Sequence, residues 1–309
     1  MKRNKNFKLT IIVLLLITTL LTGCTKTLTD KNKKAVKNEV TGQNLTENIL
    51  CKPTDKATLK LYKKNNVNTE KLPDCNKFKV TTGKYEGLWT SIFVKPLAYI
   101  LLLFGRIFNS YALSLILISI TIRLIAYPFT KKTAMQSELM KKAQPEIQKI
   151  QNKYKDKQDK DSVTKQSAEM LAIYKKYNMN PMSGCLFSFI QLPLFIAFFE
   201  AVQRTPAIFE ENFIGFQLGT TPIVGITSAT WFMYLALMLL IAFTTYYSFK
   251  MNMTGNTMDE SMKSMPLIMS GMIIITALFM PSALGLYWVT NNLFTMLQNY
   301  LVRKESDNK

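Results

Sequence analysis

Histidine is absent from all 309 residues, and with it the commonest general base and metal ligand of proteins. Carboxylates are almost as scarce where they would matter. Across the apolar runs 112–129, 183–202, 229–249, 266–280 and 284–302 there is one acid, Glu200, near the end of its run. A membrane-embedded hydrolase needs a Ser/His arrangement or two facing carboxylates. The sequence therefore argues against an enzyme, and we expect no catalytic residue, no cofactor and no metal.

What is present is apolar: 48% of the chain is hydrophobic, 17 residues are Met, and the long runs identify an all-α integral membrane protein. A net charge of +19 suggests nucleic acid until it is mapped. The lysines then gather in two segments flanking the membrane part, where topology and lipid headgroups account for them. Neither segment has a nucleic-acid fold motif, so no nucleic acid is expected as a partner.

The chain is organised around ALSLILISITIRLIAYPF, residues 112–129, which sets Arg123 inside an apolar helix. A guanidinium at that depth costs on the order of 2.5–3.5 kcal/mol on insertion scales. Two readings stand: a loop acid such as Glu138, Asp259 or Glu260 folds inward, or Arg123 faces a wet cavity. Polar stripes favour the cavity. Ser119, Arg123 and Tyr127 fall at i, i+4 and i+8 on one face, and Trp288, Asn291, Asn292, Thr295, Gln298 and Asn299 recur at helical steps in the last run. Ser188 and Gln191 add to the second run, and Thr244, Thr245 and Ser248 to the third. For any one of these, interhelical hydrogen bonding is the commoner explanation.

In chain order, residues 1–23 read as a lipoprotein signal peptide ending in Leu21-Thr22-Gly23-Cys24, with Cys24 as the lipidated N-terminus. Residues 24–88, polar and rich in Lys, Asn and Thr, read as a flexible extracellular tail with little local structure. Cys51 and Cys75 lie within it, and their spacing leaves pairing open. Residues 89–109 tempt a membrane assignment, but Lys95, Pro96 and Arg106 and the parity of crossings make this stretch an interfacial amphipathic helix on the outer side.

The first transmembrane helix is then 110–130. Residues 131–182 form a cytoplasmic helical hairpin with twelve lysines against six acids. Its apolar positions are Met135, Leu139, Ala143, Ile147 and Ile150 on one arm and Val163, Met170, Leu171, Tyr174 and Tyr177 on the other. Further spans follow at 183–203, 228–249, 266–281 and 284–302, with a Met-rich cytoplasmic loop at 250–265 and a cytoplasmic tail at 303–309. That makes five transmembrane helices, N-terminus outside and C-terminus in the cytoplasm of a bacterial cell.

Several motifs in this order resemble the YidC/Oxa/Alb family of membrane protein insertases in its Gram-positive, lipoprotein form. They are the Arg123 span with Tyr127-Pro128 and Lys131-Lys132, residues 135–140 (MQSELM), 174–180, 181–185 (PMSGC), 191–193 (QLP) and 285–292 (GLYWVTNN). The resemblance covers about Trp89 to Lys304. It implies a hydrophilic groove, open to cytoplasm and lipid, in which Arg123, Ser119, Gln191, Trp288, Asn291 and Asn292 meet the client. It also implies nascent membrane proteins as clients, the Sec translocase, ribosome or signal recognition particle pathway as partners, and a working monomer. A small-solute channel or transporter is the alternative; the absence of an internal repeat speaks against it.

Overall fold

In a computed structural model, the structure describes residues 25–155, 157, 159–179, 183–253 and 265–307, with the side chains of 183–190, 252–253, 265–266 and 307 excepted. The expected signal peptide with Cys24, and most of the loop at 250–265, lie outside the described residues. Among the described residues, eight α-helices longer than one turn carry the fold: α1 (Lys56–Lys64), α2 (Lys95–Ile107), α3 (Tyr111–Tyr154), α4 (Lys160–Lys176), α5 (Ser183–Gln203), α6 (Trp231–Met253), α7 (Met265–Leu278) and α8 (Ser282–Asp307). Among the described residues, three stretches are long and apolar enough to cross a membrane: Thr90–Ile107, part of α3, and Trp231–Met251; Gln191–Gln203 and Leu267–Leu278 are shorter apolar helices.

The chain divides into two compact units. The first holds the residues up to Ile118, Leu192–Met238 and Thr276–Tyr287; the second holds Ser119–Gln191, Leu239–Ile275 and Trp288–Lys309.

In the first unit, residues 25–88 depart from the expected tail. Leu28, Val36, Leu45, Ile49 and Tyr62 form a buried cluster. Cys51 and Cys75 are joined in a disulfide. Asp55 caps α1 by accepting from Thr58 N at 2.7 Å. The scarcity of large apolar residues here is a poor guide because this layer borrows partners from far along the chain. Leu50 N donates to Arg204 O at 2.7 Å, Thr221 N donates to Thr41 O at 2.8 Å, and Thr54 N and Oγ1 both donate to Glu210 Oε2. The turn at Pro281-Ser282-Ala283 is held likewise, with Ser282 N and Ala283 N donating to Thr220 O and Leu218 O. A small antiparallel ribbon, β1 (Asn212–Phe213) with β2 (Phe216–Gln217), is an addition to the all-helical expectation. Ile214 and Gly215 both adopt positive φ at its turn, as a two-residue hairpin loop requires.

α3, whose residues from Ser119 on belong to the second unit, runs unbroken through Pro128 and Pro145 for 44 residues, about 66 Å at 1.5 Å per residue. Membrane run and hydrophilic arm are thus one helix. α4 packs antiparallel on its far end: Ala143, Ile147 and Met179 are buried, with Leu139, Met140, Met170, Ile173, Tyr174 and Tyr177 against them. Lys153 pairs with Glu169, and Lys176 with Glu146, each at 2.6 Å. Val163 and Leu171, expected on this seam, are exposed, while Ile173 and Met179 take their place.

Candidate functional site: a polar seam between greasy helices

The helices of the second unit have inverted polarity. α3 exposes Leu124, Ile125 and Phe129 and buries Ser119, Arg123 and Thr130; Ile125 is 71% exposed and Arg123 is 6% exposed. α8 exposes Leu293, Leu297 and Leu301 and buries Asn291, Gln298 and Asn299. α6 exposes Leu239, Leu240 and Phe243 and buries Thr244, Thr245 and Ser248. Such a surface is stable in lipid and costly in water.

Hydrogen bonds run along the buried side. Arg123 Nε donates to Asn291 Oδ1 at 2.5 Å. Two turns further along α3, Thr130 Oγ1 donates to Gln298 Oε1 at 2.8 Å. Asn292 Nδ2 reaches Thr245 Oγ1 at 2.9 Å and Thr244 Oγ1 at 3.4 Å. At the hydrophilic end, Lys131 pairs with Glu305 at 2.6 Å and Lys142 Nζ donates to Ser306 O. The hydrogen bond to Glu305 holds the Lys131 ammonium above its ordinary pKa.

Of the residues singled out from the sequence, Arg123 and Asn291 are brought into direct contact, and Asn292 joins the same seam through α6. Ser119 is buried one turn before Arg123, and Gln191 and Trp288 are half-buried in the same unit. Of the acids offered as counter-charges, Glu138 pairs with Lys141, and Asp259 and Glu260 lie outside the described residues. Thr130 is the seam residue that sequence reasoning passed over. It stands seven residues after Arg123, on the same helix face, but the lysines beginning at Lys131 marked it as a boundary.

A second buried polar group lies in the first unit. Arg204, fully buried, donates from Nε to Asn48 O and from Nη2 to Glu86 Oε2, both at 2.7 Å, and its Nη1 lies 4.0 Å from Glu200 Oε2. Trp89 Nε1 donates to the other oxygen of Glu200 at 3.1 Å. Glu211 accepts from Ser110 Oγ and from the backbone N–H groups of Tyr111 and Ala112, placing a negative charge on the first turn of α3. The arrangement couples segments of the fold far apart in sequence. No cluster of three His, Cys, Asp or Glu that could hold a metal occurs among the described residues.

Comparison with known proteins gives the family of the chain. Residues 103–309 match the family model described as 60Kd inner membrane protein. The chain is 33% identical over 231 residues to the membrane protein insertase YidC of Oceanobacillus iheyensis, covering 72% of this chain and 86% of that one. It is 36% identical over 219 residues to membrane protein insertase YidC 1 of Halalkalibacterium halodurans, covering 70% and 79%. It is 35% identical over 224 residues to membrane protein insertase MisCA of Bacillus subtilis, covering 72% and 82%. A solved structure, titled active YidC insertase with the first transmembrane domain resolved, aligns with 80% of this chain and 51% of its own at 20% identity and a TM-score of 0.47. With the family model matched over most of its length and relatives a third identical, the chain belongs to the 60Kd inner membrane protein family, that of the YidC insertases.

Proposed function

We propose that this chain inserts newly made membrane proteins into the cell membrane and helps them fold, holding a client's hydrophilic stretch transiently at the seam of Arg123, Ser119, Gln191, Trp288, Asn291 and Asn292. The observation that carries this is the Arg123–Asn291 hydrogen bond between two helices that otherwise display Leu, Ile and Phe. The barrier to insertion is the loss of water from the client's polar tail. Polar groups buried within the membrane replace part of that water, and a fixed guanidinium attracts an acidic tail more strongly there than in bulk solvent. The client's apolar segment meanwhile slides along the exposed apolar faces. The relatives' names support the same activity.

The arrangement we propose has five spans, in α3, α5, α6, α7 and α8, with residues 25–88 outside and the C-terminus inside. The lysine-rich α3–α4 pair then faces the cytoplasm, where ribosome-bound chains, signal recognition particle or the Sec translocase are met. Cys24 is the lipid-bearing residue, and one chain suffices. α2 lies along the outer interface rather than across the membrane. Supporting this, Lys95 Nζ donates to Thr82 O and Lys84 O, and Arg106 Nη1 to Asn76 O. A spanning α2 would therefore draw the exposed Lys77, Lys79 and Lys84 into hydrocarbon, at about 2.5–3.5 kcal/mol for each one near the centre.

The test is insertion of a single-span client with an acidic translocated tail into proteoliposomes. Arg123→Lys should insert nearly as well as the natural protein and Arg123→Ala about tenfold less. Equal insertion by Arg123→Ala would remove charge attraction from the mechanism and leave only the polarity of the seam.

A further inference from the structure

The turn of the β1–β2 ribbon carries a residue that its backbone does not favour. Its two central residues, Ile214 at φ +48° and Gly215 at φ +89°, both lie in the left-handed region, where Asn-Gly is the common pair. A β-branched side chain is disfavoured there because it crowds the backbone. Packing within the chain does not offset this, since Ile214 is 65% exposed. The ribbon rests on the first turn of α6. Gln217 N donates to Tyr234 Oη at 3.0 Å, Phe216 meets the Tyr234 ring edge-on with centroids 5.6 Å apart, and a Cβ on Gly215 would lie 3.8 Å from Met233 Cε. The tip therefore stands beside Met233, two residues past Trp231, where the apolar stretch of α6 begins, or about 3 Å along the helix axis. Ala236, the neighbour of Met233 one turn further on, is exposed, as are Phe232 and Leu235. In a chain with 39 Lys and Arg, none of residues 212–249 is charged.

We infer that the ribbon is an outer-leaflet anchor: its tip, Ile214, enters the acyl boundary of the bilayer beside the first turn of α6. An apolar side chain that its own backbone disfavours and its own fold leaves bare points to an interaction outside the chain. Lipid is the occupant that the position favours. The tip adjoins a helix side that goes on exposing apolar residues, at the level where that helix becomes long and apolar enough to span. No charge on the ribbon or on the segment joining it to α6 has to be taken out of water. The inference rests on the placement of the start of α6 at the outer surface proposed above.

The experiment places one nitroxide on the full chain in phosphatidylglycerol–phosphatidylcholine liposomes, at I214C, L239C or K60C in a C185S background; Cys51 and Cys75 are joined and stay unlabelled. Collision with oxygen, which concentrates in hydrocarbon, against collision with a nickel chelate, which stays in water, reports where each label sits. Leu239, exposed on α6, is the lipid reference, and Lys60, exposed on α1, the aqueous one. We expect the oxygen-to-nickel ratio at 214 to match that at 239. A ratio matching that at 60 overturns the inference, and so does a label shielded from both reagents, which would mean that a second copy of the chain covers the tip. An aqueous reading at 239 would remove α6 from the membrane, and the inference with it. Because a nitroxide is itself apolar, Ile214→Thr supplies a second reading: Thr keeps the β-branch and its handicap at positive φ but loses most of the apolar surface. Amide exchange of residues 211–218 in the same liposomes should quicken about tenfold, and unchanged exchange would show that lipid does not hold the tip.

Discussion

At the residue scale, the charges outside the membrane runs matter most where they are buried. Arg204, Glu210 and Glu211 fall in the sequence between two apolar runs with nothing local to give them a role, yet each is an anchor: Arg204 for Asn48 and Glu86, Glu210 for Thr54, and Glu211 for the start of α3. Their partners stand about 100 to 156 positions away, a separation at which neither periodicity nor charge counting carries information. Arg204→Ala would leave Glu200 facing only Trp89 and strip a donor from the half-buried Asn48 carbonyl. Breaking a buried ion pair from one side costs roughly 3–5 kcal/mol. We expect Arg204→Ala to lower the thermal stability of the detergent-solubilised protein by that order, and Arg204→Lys to recover part of it, since an ammonium keeps the charge but loses the fork geometry. A melting temperature for Arg204→Ala equal to that of the natural protein would contradict the burial of this group.

At the element scale, the helices were legible and the layer of residues 25–88 was not. Apolar runs long enough for lipid declare themselves through composition, and the separate stripes of Ser119, Arg123 and Tyr127 and of Trp288 to Asn299 declare themselves through spacing, because in a membrane helix polarity is the exception. The layer has the opposite problem. Its core is five residues, dispersed among lysines and asparagines, and a cluster of that size is too small to hold a fold without a staple. The disulfide supplies one, closing a loop with a sequence separation of 24, worth about 3 kcal/mol in the chain-entropy account. The backbone bonds to Arg204, Thr221 and Glu210 supply the rest. Replacing both cysteines, Cys51→Ser with Cys75→Ser, should make the lysines of 25–88 of the detergent-solubilised protein far more sensitive to trypsin, while α3 to α8 keep their helicity. Unchanged cleavage would show that the long-range bonds hold the layer without the staple. The continuity of α3 beyond Thr130 was missed for a different reason: lysines mark where a span leaves the membrane, and they say nothing about where a helix ends.

At the scale of the whole molecule, the two units carry acids that respond to pH in opposite senses. In the first unit, burial holds Glu210 and Glu211 above the ordinary carboxylate value of 4.5. A raised folded-state value means that the folded form binds the proton more tightly, so this contribution to stability is full below pH 4.5 and is lost as pH rises through the folded value. In the second unit, hydrogen bonds from Lys176 and Tyr177 hold Glu146 below 4.5, and those from Lys153 and Tyr154 do the same for Glu169. Their contribution is present above pH 4.5 and is lost as pH falls through the lowered values. These two acids are partly exposed, so salt screening keeps their effect small. Hydrogen exchange in detergent, corrected for the intrinsic pH dependence of exchange, separates the two regions by peptide. On acidification from neutral pH, peptides around 205–218 and 110–115 should gain protection, while those of 143–153 and 169–177 stay level and then loosen below 4.5. If both sets move together, the molecule opens as one cooperative body and these carboxylates do not set its local stabilities.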